Sequence, residues 1–261
     1  MATDFTTIRL DVTDGIATIT LDQPDAGNAI GPDLARELRA AAEGLAERDD
    51  VRVVVLRSEG RFFCVGGDIQ YFAGADAPEA ALHALATDLH GALLALAALD
   101  APVIARVHGA AAGAGMSLVC AADLAIGTPA ASFTVAYTAI GLSPDGGSSW
   151  LLPRIVGHRV ATELMLTNRR VKADEAKELG LLTEVVGDDE LDARVAELAA
   201  KLAAGPRAAH GAVKRLLAAS SRTAFADQLA AEADSISQLA GSPTGIEGAA
   251  AFLEKRPPAF P

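Results

Sequence analysis

The sequence is poor in aromatic residues, cysteine and basic side chains. Aromatic residues make up 4% of the 261 residues, and 22 Lys and Arg face 34 Asp and Glu, which gives a net charge of −12. No stretch of Lys and Arg with interleaved aromatic residues occurs, so we expect no nucleic acid partner. The two cysteines, Cys64 and Cys120, form no Cys-x-x-Cys motif, which predicts reduced, buried thiols in a cytoplasmic protein.

Signals for export, membrane insertion and metal binding are also lacking. Residues 1–7 contain no basic stretch followed by an apolar one, so we expect no export. The longest uncharged run of small and apolar residues, from 109 to 122, is too short to span a bilayer, so we expect no membrane partner. The five histidines show no paired-ligand spacing. We therefore predict no metal site and interpret each histidine as a surface or packing residue.

Alternating strand and helix patterns predict an α/β protein. Apolar residues make up 51% of the chain, which is enough for a substantial core. The patterns predict strands at 16–21, 51–56, 103–107 and 123–126. They also predict three helices, one that begins at Pro32, one at 79–99 and one at 114–122. From about residue 157 onward the pattern is helical. We therefore expect an α/β core over residues 1–190 and a helical region over 191–261.

Two glycine-rich segments each follow a predicted strand. The first contains Gly66, Gly67 and Asp68. Its glycines lack a Cβ and allow a ligand to approach the backbone, and Asp68 can cap a helix that begins near Ile69. The second runs from 103 to 117 and leads into a helix, whose free N–H groups favour negative charge. Two such turns can each direct one N–H at the same oxygen and form an oxyanion hole. The alternative is that the small residues only allow close packing of helix on sheet.

Asp145 lies in a third distinctive segment, which reads Gly-Leu-Ser-Pro-Asp-Gly-Gly-Ser-Ser-Trp-Leu-Leu-Pro-Arg from 141 to 154. A carboxylate beside an apolar run can act as a proton carrier. The alternative is that Asp145 caps a helix that begins near Ser148, which is a common role for Asp in a Pro-Asp-Gly turn.

Together these segments resemble the crotonase, or enoyl-CoA hydratase/isomerase, superfamily. The resemblance extends over nearly the whole chain and includes residues 15–21, the turn at 28–30, the three segments above and residues 252–260. It implies a crotonase-like spiral of ββα units followed by a C-terminal helical region. It also implies an enzyme that stabilises a thioester enolate between two backbone amides, which match those of Gly67 and Ala114. Coenzyme A is then part of the substrate, and no separate cofactor is implied.

The chain departs from the hydratase pattern of this superfamily at both catalytic glutamates. Ser117 stands at the first position and Tyr137 at the second. Adding water to a double bond needs one group to activate the water and another to handle the α-proton, so we do not expect hydration by the usual route. Asp145 matches the acid/base position of several isomerases in the superfamily. Its segment looks most like that of the phenylacetate-pathway isomerases, which act on ring-epoxidised phenylacetyl-CoA and also shift Δ3 double bonds.

We therefore expect an acyl-CoA isomerase in which Asp145 is the single acid/base. The alternatives are an atypical hydratase, an enzyme that uses Asp145 as a nucleophile as dehalogenases of this fold do, and a non-catalytic acyl-CoA-binding subunit. The candidate substrate-binding residues are Ala26, Asn28, Val65, Gly66, Asp68, Ile69, Tyr71, Phe72, Tyr137, Leu142, Trp150 and Lys255. Ala26 and Gly27 stand where relatives often carry a basic residue near the CoA phosphates, which leaves Lys255 and Arg256 as candidates for that charge.

The resemblance also implies a homo-oligomer, either a trimer or a dimer of trimers. The predicted C-terminal helices carry apolar stripes, one of them formed by Phe225, Leu229 and Ile236. A chain with only 4% aromatic residues has few bulky side chains to cover such stripes by itself. Burial against a neighbouring subunit is a plausible way to cover them.

Overall fold

The computed structural model of the protein describes residues 5–261. Residues 1–4, part of the segment on which the expectation of no export rests, lie outside the described residues. Within the described part the strands are β1 (Ile8–Thr13), β2 (Ile16–Leu21), β3 (Val53–Ser58), β4 (Val103–Val107), β5 (Ala110–Ala112), β6 (Leu124–Gly127), β7 (Ser132–Thr134), β8 (Val171–Lys172) and β9 (Glu184–Val185). The helices are α1 (Pro32–Ala46), α2 (Ile69–Ala73), α3 (Pro78–Ala98), α4 (Ala114–Ala121), α5 (Ser148–Val156), α6 (His158–Thr167), α7 (Ala173–Glu178), α8 (Leu191–Ala203), α9 (Arg207–Ser220), α10 (Phe225–Ala240) and α11 (Pro243–Glu254).

The larger sheet has six strands in the order β1-β2-β3-β4-β6-β9, with β1 antiparallel and the other neighbours parallel. Successive residues of β3 face opposite sides of this sheet. Val54 and Leu56 belong to the main core, which includes α1 and α3, whereas Val53 and Val55 pack against α8. Because both faces of the sheet are covered, its central strands are continuous apolar runs rather than alternating ones.

Most of the predicted elements are confirmed. The strands predicted at 16–21 and 103–107 coincide with β2 and β4, and the helix predicted from Pro32 is α1. The helix predicted at 79–99 is α3, shifted by one residue at each end. The strand predicted at 51–56 is β3, which begins at Val53 instead. The α/β class with a C-terminal helical region is confirmed.

Two expectations about the pattern are wrong. The stretch after residue 157 is not purely helical, because it contains the two-residue strands β8 and β9. Each of these strands pairs with a distant one, β8 with β7 and β9 with β6. A strand of two residues is too short to show a periodic pattern, and its pairing partner lies far away in the sequence. Strand β1 was also missing from the prediction, although its hairpin partner β2 was present.

The smaller sheet brings the two glycine-rich segments together. It has the order β5-β7-β8, and it is reached through the short link at 108–109 that follows β4. An isolated parallel bridge joins Cys64 of the first glycine segment to Ala111 of β5. Helix α4 begins directly after β5, with Gly113 at its N-cap. Both segments therefore meet where the chain passes from the larger sheet to the smaller one.

Helix α3 forms one wall of this region. It is 21 residues long with a hydropathy of 1.4 over its most apolar window, so by length and composition alone it could cross a membrane. Its residues Leu85, Leu89 and Leu93 are instead buried in the main core. These three side chains attach one face of the helix to the core, and the expectation of no membrane partner stays a prediction.

The C-terminal helices differ in how they contact the rest of the chain. Helix α8 packs on the outer face of the larger sheet. Helix α9 is tied to the core by Lys214, whose Nζ lies 2.9 Å from Asp123 Oδ2 and donates to the carbonyl of Ala101 at 3.0 Å. Helices α10 and α11 expose the large apolar side chains Phe225, Leu229, Ile236, Ile246, Phe252 and Leu253. The division at residue 190 stays a prediction.

Candidate active site

The first glycine turn is held by a short parallel pairing with residues 27–30. The N–H of Val65 donates to the Gly27 carbonyl at 3.1 Å, and that of Ile30 donates to the Gly66 carbonyl at 2.7 Å. The N–H of Asp68 then donates to the Ile30 carbonyl at 3.0 Å. In a parallel bridge of this kind the residue opposite Ile30, which is Gly67, keeps its own N–H out of the pairing. The Gly67 N–H therefore remains available to a ligand.

Asn28 stabilises this turn through hydrogen bonds on the side away from the cavity. Its side chain is fully buried, its Oδ1 accepts from the N–H of Gln23 at 2.9 Å, and its Nδ2 donates to the carbonyls of Glu59 at 2.9 Å and Phe62 at 3.1 Å. These bonds connect the loop before α1 to the loop after β3. Asn28 thus shapes the turn without facing the cavity. Ala26 ends an exposed 3₁₀ turn nearby, Pro24–Ala26.

The second glycine turn lies directly against the first. Gly113 has φ 51° and ψ −124°, a conformation suited to glycine, and it is the N-cap of α4. Its N–H donates to the carbonyl of Thr134 at 2.9 Å. A Cβ on Gly66 would come within 3.0 Å of the Ala112 carbonyl oxygen, so the two turns can approach this closely only with glycine at 66. The N–H of Ala114, at the first position of α4, has no partner within its own helix.

Asp68 has the local role that the sequence predicts. Its carboxylate Oδ1 accepts from the N–H groups of Gln70 at 2.9 Å and Tyr71 at 3.2 Å, which caps α2. This cap fixes the direction in which the chain leaves the first glycine turn. Ile69 and Phe72 of α2 consequently face the same cavity as Gly67.

Asp145 receives a short hydrogen bond from Tyr137. The Tyr137 hydroxyl donates to Asp145 Oδ1 at 2.5 Å, and Ser117 Oγ lies 3.3 Å from the same hydroxyl. Burial, and after it the charge of Asp145, raises the pKa of Tyr137, so this phenol remains a donor. Ser117 itself is fully buried and donates to the Asp145 carbonyl at 3.3 Å. The residues that match the two hydratase glutamate positions in the family resemblance therefore place two hydroxyls beside Asp145.

The alternative of Asp145 as a helix cap does not describe its carboxylate. Helix α5 begins at Ser148, as predicted, but its N-cap is Gly147 and no side chain caps it. The backbone carbonyl of Asp145 accepts from the N–H of Ser148 at 3.0 Å and from its Oγ at 2.8 Å. The backbone of Asp145 thus starts the helix, and its side chain is left to the cavity.

Tyr137 ends a strained turn that sets the position of its side chain. Ala136 has φ 66°, and the N–H of Tyr137 donates to the Val135 carbonyl at 2.9 Å across it. A three-residue turn with positive φ at its centre is rare and strained for a residue other than glycine. The strain coincides with the point where the chain turns from β7 toward the cavity, so it accompanies the positioning of the Tyr137 ring.

His90 is a contributor that the sequence interpretation missed. The N–H of Gly146 donates to His90 Nε2 at 3.1 Å, so the ring carries its proton on Nδ1. Gly146 has φ 58°, and a Cβ there would come within 2.7 Å of Ser117 Cβ. His90 on α3 therefore helps to hold the turn that follows Asp145. This contact joins residues 56 apart in the chain, and no spacing in the sequence signals it.

These elements enclose a cavity of about 270 Å³. Its lining is Ile30, Val65, Gly66, Gly67, Ile69, Phe72, Leu82, Leu85, Ala86, Leu89, Gly113, Ala114, Ala136, Tyr137, Ala139, Ile140, Leu142 and Asp145. Gly67 and Ala114 thus share one cavity with Asp145, the one carboxylate that lines it among residues 5–261. The α3 residues Leu82, Leu85, Ala86 and Leu89 were expected to be helical but were not expected to form a pocket wall.

Six predicted binding residues lie away from this lining. Trp150 is 44% exposed, and the guanidinium of Arg154 stacks 3.9 Å from its ring centre. Tyr71 is half-buried and packs against the main core. Lys255 is an exposed residue at the C-cap of α11, with φ 56°. Of the predicted binding residues, Ala26, Asn28, Asp68, Tyr71, Trp150 and Lys255 do not line the cavity, and Asn28 and Asp68 act on its shape instead.

Comparison with known proteins gives a consistent family. Residues 11–261 match the family model described as enoyl-CoA hydratase/isomerase. A probable enoyl-CoA hydratase of Rhodobacter capsulatus is 41% identical over 97% of both chains. 4-Chlorobenzoyl coenzyme A dehalogenase-2 of Arthrobacter sp. is 35% identical over 95% of this chain and 91% of its own. 1,2-Epoxyphenylacetyl-CoA isomerase of Escherichia coli is 33% identical over 94% of this chain and 95% of its own.

A solved structure confirms the expected fold. The crystal structure of a putative enoyl-CoA hydratase from Streptomyces coelicolor A3(2) superposes with a TM-score of 0.94 at 37% identity, covering 99% of this chain and 95% of that one. Relatives of similar identity thus carry the names of a hydratase, a dehalogenase and an isomerase. The choice among these reactions has to come from the residues of the site.

Proposed function

The chain belongs to the enoyl-CoA hydratase/isomerase family, and we propose that it is an isomerase that acts on an acyl-CoA thioester with Asp145 as its single acid/base. The observation that carries the proposal is the pairing of Asp145 with Tyr137 at 2.5 Å in a cavity that Gly67 and Ala114 also line. A proton shuttle needs one carrier and a site that stabilises the enolate, and both requirements are met by these residues.

The reaction begins with the thioester oxygen between the N–H groups of Gly67 and Ala114. The free carboxylate oxygen of Asp145 removes a proton from C2 of a Δ3-enoyl thioester, and the electrons of the C2–H bond move into a dienolate. The two amides stabilise the negative charge on the thioester oxygen. The protonated Asp145 then delivers its proton to C4, which leaves the double bond between C2 and C3. The same base can serve the rearrangement of a ring-activated arylacetyl-CoA.

Tyr137 fixes which oxygen of Asp145 does this work. Its hydroxyl occupies Oδ1, which leaves Oδ2 to act as the base in the proposed reaction. The raised pKa of Tyr137 means that the phenol does not compete with Asp145 as a base. Ser117 and Tyr137 occupy the two hydratase positions with hydroxyls, and the Tyr137 hydroxyl is already bonded to Asp145. Neither is a carboxylate that could activate a water molecule, which disfavours the atypical hydratase.

Nucleophilic use of Asp145 is the second candidate. Two observations favour it: one carboxylate oxygen is free while the other is held, and a relative at 35% identity is named a 4-chlorobenzoyl-CoA dehalogenase. In this reaction Oδ2 attacks the ring carbon of a haloaryl thioester, chloride leaves, and water hydrolyses the resulting aryl ester. This route predicts a covalent adduct in rapid quench and transfer of ¹⁸O from labelled Asp145 to the product.

The test is a panel of acyl-CoA substrates analysed by mass spectrometry. An isomerase converts 3-enoyl-CoA to 2-enoyl-CoA and exchanges the C2 proton for deuterium in heavy water. A hydratase forms 3-hydroxyacyl-CoA from crotonyl-CoA, and a non-catalytic binder gives neither product nor exchange. Asp145→Asn keeps the size of the side chain and removes the base, so it should lose most isomerase activity while still binding acyl-CoA. Isomerase activity at the wild-type rate in Asp145→Asn would contradict the proposal.

We also propose that the active form is a cytoplasmic homo-oligomer, a trimer or a dimer of trimers, without a separate cofactor. The exposed apolar residues of α10 and α11 support this, since Phe225 is 78% and Phe252 83% exposed in the single chain. Several large apolar side chains exposed on neighbouring helices commonly mark a subunit contact. Light scattering that gave a fully active monomer at micromolar concentration would contradict the assembly.

A further inference from the structure

The cavity that contains Asp145 adjoins a second chamber, and we propose that this chamber binds the far part of a bulky, uncharged acyl group. The inference rests on the proposed binding of an acyl-CoA thioester in the first cavity. The second chamber has a volume of about 520 Å³, against about 270 Å³ for the first. It is lined by Phe72, Pro78, Glu79, Leu82, His83, Ala86, Tyr137, Leu142, Ser143 and Asp145.

The two chambers have six lining residues in common. Phe72, Leu82, Ala86, Tyr137, Leu142 and Asp145 line both. Asp145 and Tyr137 therefore stand at the junction between them. The glycine turns with Gly67 and Ala114 belong only to the first chamber. Pro78, Glu79, His83 and Ser143 belong only to the second.

This arrangement gives the acyl group a direction. A thioester oxygen near Gly67 and Ala114 leaves C2 to C4 beside Asp145, as the proton shuttle requires. Atoms beyond C4 then lie past the junction, in the second chamber. The coenzyme A moiety is unsuited to that side, because Glu79 at its rim carries the same charge sign as the CoA phosphates.

The walls of the second chamber indicate the class of acyl group. Phe72, Pro78, Leu82 and Leu142 form an apolar surface. The ionisable groups on it are Asp145 and Tyr137 at the junction, and Glu79 and His83, which are exposed. The phenol of Tyr137 stays neutral because its pKa is raised. A carboxylate at the far end of the acyl group would face Glu79, so a neutral alkyl or aryl end is favoured. A crotonyl group ends near Asp145 and leaves these walls without contact.

Affinity measured with saturated acyl-CoA thioesters tests the inference without any turnover. Each buried methylene is expected to tighten binding about fourfold, so octanoyl-CoA gains up to roughly two-hundredfold over butanoyl-CoA if its extra methylenes are buried. Succinyl-CoA should bind more weakly than butanoyl-CoA. Phenylacetyl-CoA and octanoyl-CoA form the aryl and alkyl arms of the series. A gain of more than tenfold in either arm supports the chamber, and a gain below tenfold in both arms overturns it.

A pair of matched variants on α3 locates the effect. Ala86 lines both chambers, whereas Ala84 lies two residues away on an exposed part of the same helix. Ala86→Phe should reduce the ratio of octanoyl-CoA to butanoyl-CoA affinity toward one, and Ala84→Phe should keep the wild-type ratio. Should Ala86→Phe fold poorly, Ser143→Phe narrows the second chamber from a loop. Equal ratios in wild type, Ala86→Phe and Ser143→Phe would overturn the chamber.

The outcome is separable from that of the proposed reaction. Saturated thioesters lack the double bond that an isomerase moves, so their affinities do not depend on Asp145 as a base. A steep chain-length series without isomerase activity would retain the chamber and reject the reaction. Affinities that do not depend on chain length, together with full isomerase activity, would reject the chamber and retain the reaction.

Discussion

Replacing Tyr137 with Phe is the most direct perturbation of the site, because it removes one hydroxyl and keeps the ring. The lost contact is the 2.5 Å bond to Asp145 Oδ1. A hydrogen bond to a charged group contributes about 1.5–3 kcal/mol. At about 1.36 kcal/mol per factor of ten, this corresponds to a loss of about 10- to 150-fold in kcat/KM if Asp145 acts as the base.

The ratio of kcat to KM effects distinguishes positioning from general structure. The Tyr137 hydroxyl donates to Asp145 Oδ1 and so holds one orientation of the carboxylate. Its loss should therefore lower kcat far more than it changes KM or the melting temperature. A purely structural role for Tyr137 would instead lower the melting temperature along with activity. Ser117→Ala, which leaves the Tyr137–Asp145 bond in place, should change kcat far less.

A spectroscopic readout is available because the chain has two tyrosines. In a Tyr71→Phe background Tyr137 is the sole tyrosine, and incorporation of 3-fluorotyrosine gives one ¹⁹F resonance. That resonance should shift when Asp145→Asn is added in the same background, since the phenol then loses its charged acceptor. Wild-type kcat and kcat/KM in Tyr137→Phe, together with an unshifted resonance, would refute the reasoning.

Three further predictions concern the turns, the thiols and the tail. Gly113→Ala should lower the free energy of unfolding by about 1–3 kcal/mol, because the backbone of Gly113, with φ 51° and ψ −124°, is strained for a residue with a Cβ. It should also reduce kcat, because relief of that strain moves the N–H of Ala114. Thermal melting and steady-state kinetics measure the two effects. Burial raises the pKa of Cys64 and of Cys120 to about 12 from 9.0, so their contribution to stability is present below pH 9 and declines as pH rises toward 12. The slope is up to about 1.4 kcal/mol per pH unit for each thiol, and Cys120→Ala should halve their combined slope in urea titrations. Deleting residues 251–261 should cause a greater relative loss of acyl-CoA affinity than of thermal stability, each compared with the intact chain. A greater loss of thermal stability would contradict this.

The sequence predicted those elements whose signal is local. β2 has the alternation of a strand, and α1 begins at a proline, which suits the first turn of a helix. The missed strand β1 did carry a signal at its turn. Asp14 and Gly15 both have positive φ, which is the backbone of a tight hairpin, and Asp-Gly between two strands is typical of it. β8 and β9 are too short for any periodicity, and only their distant partners define them.

The site was predictable to a similar extent. The segment around Asp145 and the two glycine turns stand out in the sequence, and the family resemblance linked them. The bond from Tyr137 to Asp145 was not predicted, because the sequence marked Tyr137 only as a candidate substrate-binding residue and the turn at Ala136 has no sequence signature. The contact of His90 with Gly146 depends on how α3 packs against the segment before α5. Such contacts are set by tertiary packing rather than by spacing.

The charge of the site fits the proposed proton shuttle. Two glutamates at positions 117 and 137 would add negative charge to a site where the thioester oxygen is to become negative. Ser117 and Tyr137 are neutral, and Tyr137 is kept so by its raised pKa. In the proposed reaction the amides of Gly67 and Ala114 act against one carboxylate, and that carboxylate would become neutral on accepting the C2 proton. The enolate would then form with no other anion lining the first cavity among the described residues, which would lower the cost of its charge in an apolar environment.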